Sequence, residues 1–140
     1  SGVYFHAEAH MILAGYAVDD EKPGFNFHYD GGEFFEQYIW APLYERSSCF
    51  ENLKHITGWA GLYEVSLDRF AVLGELPGKR NFFEAHSFSG RGAMQSYAAG
   101  KILSEKIVQG SYSDLIWEKL SAHRFNQADG SGYLMEERVI

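Results

Sequence analysis

The chain has 140 residues, of which 46% are hydrophobic, and this is long enough for a core that buries roughly 70% of the unfolded surface. Its net charge of -7 and its scattered basic residues argue against a nucleic-acid partner, because such binding relies on Lys and Arg that neutralise phosphates. The single cysteine, Cys49, excludes an internal disulfide and a multi-cysteine metal cluster.

The apolar stretches also limit where the protein can reside. The longest of them, such as residues 11–18, fall far below the roughly 18 residues that cross a bilayer. We therefore expect no membrane span and a soluble, cytoplasmic protein. The chain opens on Ser1 without a methionine and enters a strand-like pattern at once, which suggests a fragment of a longer protein.

The first third of the chain combines strand and helix patterns. Residues 3–6 and 11–17 are rich in β-branched and aromatic side chains and predict an antiparallel hairpin. Aromatic and polar residues alternate over 25–29, which predicts a short edge strand. Apolar residues recur at three- and four-residue spacing over 33–46, which predicts an amphipathic helix that bends or restarts at Pro42.

The middle of the chain reads as three strands. Residues 53–66 predict a long strand, and residues 70–76 predict its partner across a turn. After another turn at 77–79, residues 81–88 form a further strand-like run.

Helical patterns follow the last predicted strand. Residues 92–108 predict a helix that Gly110 ends. Residues 114–124 predict a short second helix before a polar segment.

The junction between the last strand and the long helix is the segment Ser89-Gly90-Arg91-Gly92. A strand that turns on two glycines into a helix leaves unpaired amides at the positive end of the helix dipole, where they can hold an anion or a polarised carbonyl. A dinucleotide fingerprint would need a third glycine where Gln95 stands. The junction therefore predicts a cofactor contact of another kind.

A second candidate site is the run His6-Ala-Glu8-Ala-His10. Two His and one carboxylate are a recognised ligand set for non-haem iron or zinc. Same-face neighbours on one strand stand about 6.6 Å apart, too far for easy convergence, and the run lies where the hairpin should turn. Solvated turn residues are the favoured interpretation.

Several motifs occur in an order that resembles the C-terminal part of the D-amino-acid oxidase/sarcosine oxidase superfamily of FAD-dependent oxidoreductases. They are Trp59-Ala-Gly61, Asp68, Val72-Leu-Gly74 and Phe88-Ser-Gly-Arg-Gly92. Further segments are similar to the branch that includes the FAD-dependent oxidoreductase domain-containing proteins: Gly2-Val-Tyr-Phe, Glu33-Phe-Phe, Trp40-Ala-Pro, Cys49-Phe-Glu-Asn-Leu and Arg138-Val-Ile140.

The resemblance implies an α+β fold built from interleaved parts of one larger protein. Residues 1–63 would belong to a substrate domain, in which an antiparallel sheet with helices covers the flavin. Residues 64–140 would supply the last strand and helix of an FAD-binding α/β domain. The N-terminal dinucleotide-binding half would be missing from this chain.

The resemblance also assigns cofactor contacts. The amides of Gly90, Arg91, Gly92, Ala93 and Met94 would face the pyrimidine edge of the flavin. Reduction places negative charge near N1 and the C2 carbonyl of the ring, and free amides at a helix N-terminus stabilise that charge.

Departures from the family pattern refine these expectations. Gly61 stands where sarcosine oxidases carry a Cys bonded to the flavin, so we expect noncovalent FAD. Met94 replaces a Lys that helps bind the substrate carboxylate, and Arg91 replaces the usual His. Tyr63 falls at a position near the substrate in family members, although a packed Tyr at a strand end is an equal alternative. Tyr63 and Met94 are therefore the predicted substrate contacts.

The function implied is oxidation of a C–N bond of a small-molecule amine or amino acid by hydride transfer to flavin, with no catalytic side chain on this segment. The fragment alone should be inactive. Two alternatives remain open at this point. The chain could be a noncatalytic assembly module, or a metal-binding domain that uses His6, Glu8 and His10.

Overall fold

The computed structural model describes residues 2–19, 21–127 and 129–134. The chain divides into two compact units, the first ending at Leu62 and the second beginning at Tyr63. Their assignment to a substrate domain and a flavin domain stays a prediction. No helix in the described part of the chain is long and apolar enough to cross a membrane.

The first unit opens with the predicted hairpin. Strand β1 (Tyr4–Glu8) pairs antiparallel with β2 (Met11–Gly15). Tyr4 lies opposite Gly15 and Glu8 opposite Met11, so only two residues form the turn. The hairpin prediction is confirmed.

The predicted helix over 33–46 is also confirmed, but it is not uniform. It comprises α1 (Gly32–Phe34), a π-helical segment (Phe35–Trp40) and α2 (Ala41–Arg46). The Asp30 carboxylate accepts the Phe34 N–H at 2.9 Å and caps the start. Pro42 lies in the first turn of α2. Its ring cannot donate to the carbonyl four residues earlier, and the widened π segment lies immediately before α2.

The core of the first unit forms where the hairpin meets this helix. Its buried members are Val3, Ile39 and Leu43, of which Leu43 is fully buried. Partly buried side chains, most of them aromatic, pack against them: Ala14, Tyr16, Phe34, Phe35, Phe50 and Leu53. Because the helix places Ile39 and Leu43 four residues apart, both point to the same side.

Two predicted strands of this unit are wrong. Residues 25–29 form no strand, and Phe25 is 93% exposed. Residues 53–66 also form no strand, apart from an isolated bridge at Val65. Side chains connect these two segments instead, because the Tyr29 hydroxyl lies 2.9 Å from His55 Nε2. Aromatic-rich runs favour strands only when neighbours complete the ladder.

The second unit contains the other sheet. Strand β3 (Val72–Glu75) pairs antiparallel with β4 (Phe83–His86), with Val72 opposite His86. The strand predicted over 70–76 therefore exists in shortened form, but its predicted partner over 53–66 is wrong. The described residues contain two two-stranded sheets.

Helix α3 (Gly92–Gln109) confirms the predicted long helix. Gly110 ends it in the left-handed conformation, with φ of 77°, and its N–H donates to the Lys106 carbonyl. The helix predicted over 114–124 is instead two 3-10 turns, Leu115–Leu120 and Ala122–Asn126. Ser121 separates them because its backbone is extended.

The core of the second unit lies between β3, α3 and the first 3-10 turn. Its buried members are Leu73, Ala99, Ile102 and Tyr112, and the side chains packed against them are Phe88, Leu103, Trp117 and Leu120. The coarse architecture, helices with small antiparallel sheets, agrees with the α+β prediction. The terminal Arg138-Val-Ile140 motif lies outside the described residues.

Candidate functional site

The turn that joins β4 to α3 has an unusual backbone. Ser87, Ser89 and Gly90 have φ values of 59°, 51° and 83°, in the region that residues with a Cβ rarely adopt. Both serines are buried. Such strained backbone persists only where surrounding contacts fix it, and it clusters at functional sites.

Glu64 and Arg69 supply those contacts. The Ser87 N–H donates to the Glu64 carboxylate at 2.9 Å, and the Ser89 N–H donates to the Glu64 backbone carbonyl at 3.2 Å. The Ser89 hydroxyl donates to the Arg69 carbonyl at 3.0 Å. The polar groups of the turn are thus held by residues 64 and 69 of the same unit.

The amides that follow the turn are open. The Arg91 N–H donates to the Phe88 carbonyl at 3.0 Å, so this amide serves the turn itself. The N–H groups of Gly90, Gly92, Ala93 and Met94 donate to no residue within the described ranges. Met94 is 78% exposed. Four unpaired donors therefore lie at the positive end of an 18-residue helix.

Tyr63 packs directly on this turn. A Cβ added at Gly90 would lie only 2.8 Å from Cζ of the Tyr63 ring, closer than carbon atoms approach. Position 90 therefore requires glycine for two reasons, the φ of 83° and the Tyr63 ring packed against it. The structure brings together a predicted substrate contact and a predicted cofactor contact.

Gly92 and Gly61 have different surroundings. A Cβ added at Gly92 would meet the Phe88 Cβ at 3.5 Å, an ordinary van der Waals distance. No residue that the structure describes therefore demands glycine at position 92, whereas a flat ligand approaching the helix start would. At Gly61, in the first unit, an added Cβ would meet nothing within 4 Å.

A buried ion pair lies behind the turn. Arg124 Nε donates to Asp68 Oδ2 at 2.6 Å, and Nη2 donates to Asp68 Oδ1 at 3.0 Å. Arg124 also donates to the carbonyls of Phe70 and Ala71. Both charged side chains are buried, and the bidentate geometry satisfies them.

Hydrogen bonding decides the charge of Asp68. Burial alone would raise the pKa of its carboxyl, but bonds from Arg124, from the Ser66 hydroxyl and from two backbone amides lower it to about 2. The ionised Asp68 orders the loop 66–70. The Arg69 carbonyl, which accepts the Ser89 hydroxyl, lies on that loop.

Sequence reasoning missed Glu64, Arg69 and Arg124. The partners of Glu64 and Arg124 lie 23 and 56 residues away, and no local pattern reports such distances. Asp68 alone carried a signal, because it belongs to one of the motifs on which the resemblance rests.

The alternative metal site does not assemble. His6 and Glu8 lie on β1 with Nδ1 and Oε2 3.8 Å apart, both largely exposed. His10 lies in the turn after the strand. Among the residues that the structure describes, no three His, Cys, Asp or Glu side chains are grouped so as to hold a metal ion.

Comparison with known proteins identifies the family. The family model for FAD dependent oxidoreductases (DAO) matches residues 1–106. The chain belongs to the DAO family. FAD is therefore its cofactor class. The open amides at the start of α3 are hydrogen-bond donors of the kind that the carbonyl and nitrogen acceptors of a flavin edge require.

Relatives in this family cover most of the chain. The FAD-dependent oxidoreductase domain-containing protein 1 of Xenopus laevis is 34% identical over 89% of the chain, and that of Bos taurus is 30% identical over 82%. The chain spans about a quarter of the length of these relatives, 26% and 24% respectively.

A solved structure supports the fold. The crystal structure of L-proline dehydrogenase from P. horikoshii matches with a TM-score of 0.74 at 24% identity, over 89% of this chain and 32% of that one. At this identity the similarity concerns the fold alone.

Proposed function

We propose that the chain is the C-terminal portion of an FAD-dependent oxidoreductase that oxidises a C–N bond of a small amine or amino acid. The observation that carries the proposal is the set of four unpaired amides, at positions 90, 92, 93 and 94, at the start of α3. They are donors without acceptors, they are held by a strained turn, and the chain belongs to a family whose cofactor has an electron-accepting ring.

In this proposal the amides of Gly90, Gly92, Ala93 and Met94 donate to the pyrimidine edge of the flavin. The Arg91 amide is engaged within the turn, so Arg91 would contribute through its side chain. FAD, when bound, accepts the two electrons of substrate oxidation. The chain's part is to hold donors and a helix dipole where negative charge then accumulates.

Tyr63 and Met94 would border the substrate. The Tyr63 ring is half exposed and packs on Gly90, whereas Met94 is exposed on the first turn of α3. Neither carries a charge, so the substrate would be selected by shape and by contact with the ring. Gly61 has no nucleophilic side chain, which supports noncovalent FAD.

The placement of the flavin can be tested with a matched pair of glycine variants in the full-length protein. Gly92→Ala adds a methyl group that the chain itself tolerates. Gly100→Ala adds one on the same helix in open space. We expect Gly92→Ala to weaken FAD binding about tenfold or more, or about 1.4 kcal/mol, and Gly100→Ala to leave it unchanged. Equal FAD affinity in both variants would refute the placement.

The reaction class needs a second experiment. The full-length protein with bound FAD is mixed anaerobically with amines, amino acids and matched 2-hydroxy acids while the flavin absorbance is followed. We expect bleaching by a C–N substrate. Bleaching by hydroxy acids alone would replace the proposed substrate class, and no bleaching by any compound would favour a noncatalytic module.

A further inference from the structure

Glu64 makes two hydrogen bonds to one face of the β4–α3 turn. Its carboxylate accepts the Ser87 N–H at 2.9 Å, and its backbone carbonyl accepts the Ser89 N–H at 3.2 Å. The neighbouring Val65 forms an antiparallel bridge with Phe88. One short segment therefore holds three consecutive residues of the turn.

These bonds act where the backbone is most strained. Ser87 and Ser89 both have positive φ and both are buried. Without the Glu64 carboxylate, the Ser87 N–H would lose its acceptor in a buried position, and extended backbone would become the more stable conformation for this residue. The backbone path from Ser87 to Gly90 sets the direction in which α3 begins. It therefore also sets the direction in which the unpaired N–H groups at the start of α3 point.

The same segment positions Tyr63. Tyr63 precedes Glu64, and its ring lies against Gly90. The second carboxylate oxygen of Glu64 lies 3.7 Å from His86 Nδ1, and that nitrogen contacts the Ser87 hydroxyl at 2.8 Å. Glu64 thus connects the end of β4, the turn and the proposed substrate contact.

We infer that Glu64 is a positioning residue that aims the amides of Gly90 and Gly92 at the flavin. This inference rests on the proposed function. Glu64 touches neither cofactor nor substrate in this scheme. Its effect passes through the backbone of Ser87 and Ser89.

The test uses Glu64→Ala, Glu64→Gln and the control Glu45→Ala, an exposed Glu on α2, in the FAD-loaded full-length protein. The measurements are the FAD dissociation constant, the midpoint potential of bound FAD and the unfolding temperature. We expect Glu64→Ala to raise the FAD dissociation constant roughly tenfold. This corresponds to the low end of the range for a hydrogen bond to a charged group, and we choose the low end because the Glu64 side chain is largely exposed to water. We also expect a lower potential, since misdirected amides stabilise the reduced ring less.

Glu64→Gln retains an acceptor for the Ser87 N–H, so it should keep the dissociation constant within about threefold of the original value and leave the potential close to that of the original protein. If Glu64→Ala fails to fold, Glu64→Asp provides the same measurement, because it withdraws the carboxylate by one methylene. A merely structural role would lower the unfolding temperature without moving the potential, and that result would overturn the inference. A Gln variant as impaired as the Ala variant would also overturn it.

Failure of the inference and failure of the proposed function give different results. If Gly92→Ala weakens FAD binding and no Glu64 variant changes affinity or potential, only the role of Glu64 is wrong. If Gly92→Ala and the Glu64 variants all leave FAD unaffected, the flavin does not meet this turn, and both proposals fall together.

Discussion

The Asp68–Arg124 pair makes the stability of the second unit depend on pH in a defined window. The pKa of the Asp68 carboxyl is lowered from 3.8 to about 2. A lowered pKa favours the folded state at every pH above the unfolded value, and this advantage disappears as pH falls through the folded value. Stability attributable to Asp68 should therefore be complete above about pH 5 and lost by about pH 1.

The magnitude follows from the same pKa. At 1.36 kcal/mol for each tenfold change in proton affinity, a decrease from 3.8 to about 2 corresponds to about 2.4 kcal/mol. Asp68→Asn removes the charge and leaves Arg124 without its counter-ion in a buried place. We expect a loss of about 3 kcal/mol in the free energy of unfolding at neutral pH.

Urea denaturation of the 140-residue chain at a series of pH values measures this effect. Trp117 packs against the core of the second unit. With the substitutions Trp40→Phe and Trp59→Phe, the remaining fluorescence comes from Trp117 and reports on the unit that contains Asp68 and Arg124. Asp114→Asn is the matched control. Asp114 caps a 3-10 turn through the Ile116 N–H, and Asn caps as well as Asp.

The original chain and Asp68→Asn should differ in their free energy of unfolding by an amount that depends on pH. A difference that stays constant from about pH 7 to about pH 2.5 would refute the role of Asp68. We expect that difference to shrink by about 1.6 kcal/mol over this range, because about 0.8 kcal/mol of the Asp68 contribution remains at about pH 2.5. The difference between the original chain and Asp114→Asn should stay within about 0.5 kcal/mol throughout.

The glycine and leucine positions give two further predictions, both measured by the free energy of unfolding. Gly90→Ala should lower the free energy of unfolding by about 2 kcal/mol or more, because φ is 83° and the added Cβ would overlap the Tyr63 ring. The control Gly100→Ala should stabilise α3 by about 0.5–1 kcal/mol. Equal effects of the two substitutions would contradict a strained turn at Gly90. Leu43→Ala should cost about 2–5 kcal/mol because the side chain is fully buried, whereas Leu115→Ala, 79% exposed, should change stability by less than about 0.5 kcal/mol.

The sequence predicted the hairpin of β1 and β2 from its β-branched and aromatic residues, and the end of helix α3 from the chemistry of Gly110. Alternation of polar and aromatic residues was not sufficient, because residues 25–29 alternate and form no strand. Residues 53–66 misled because Trp59 and its apolar neighbours favour strands, yet Trp59 is 71% exposed and has no paired strand. β-propensity measures fit to a pleated, half-buried surface, and in the described structure this segment has none.

The candidate site shows why motif order was more informative than any single motif. Asp68 and Ser89 belong to different motifs, 21 positions apart in the sequence. In the structure Asp68 orders the loop that presents the Arg69 carbonyl, and that carbonyl accepts the Ser89 hydroxyl. The two motifs therefore support each other across one hydrogen bond. Arg124, which neutralises Asp68, belongs to none of the motifs. A single Arg in a polar segment is usually exposed, so the sequence alone does not show that this one is buried.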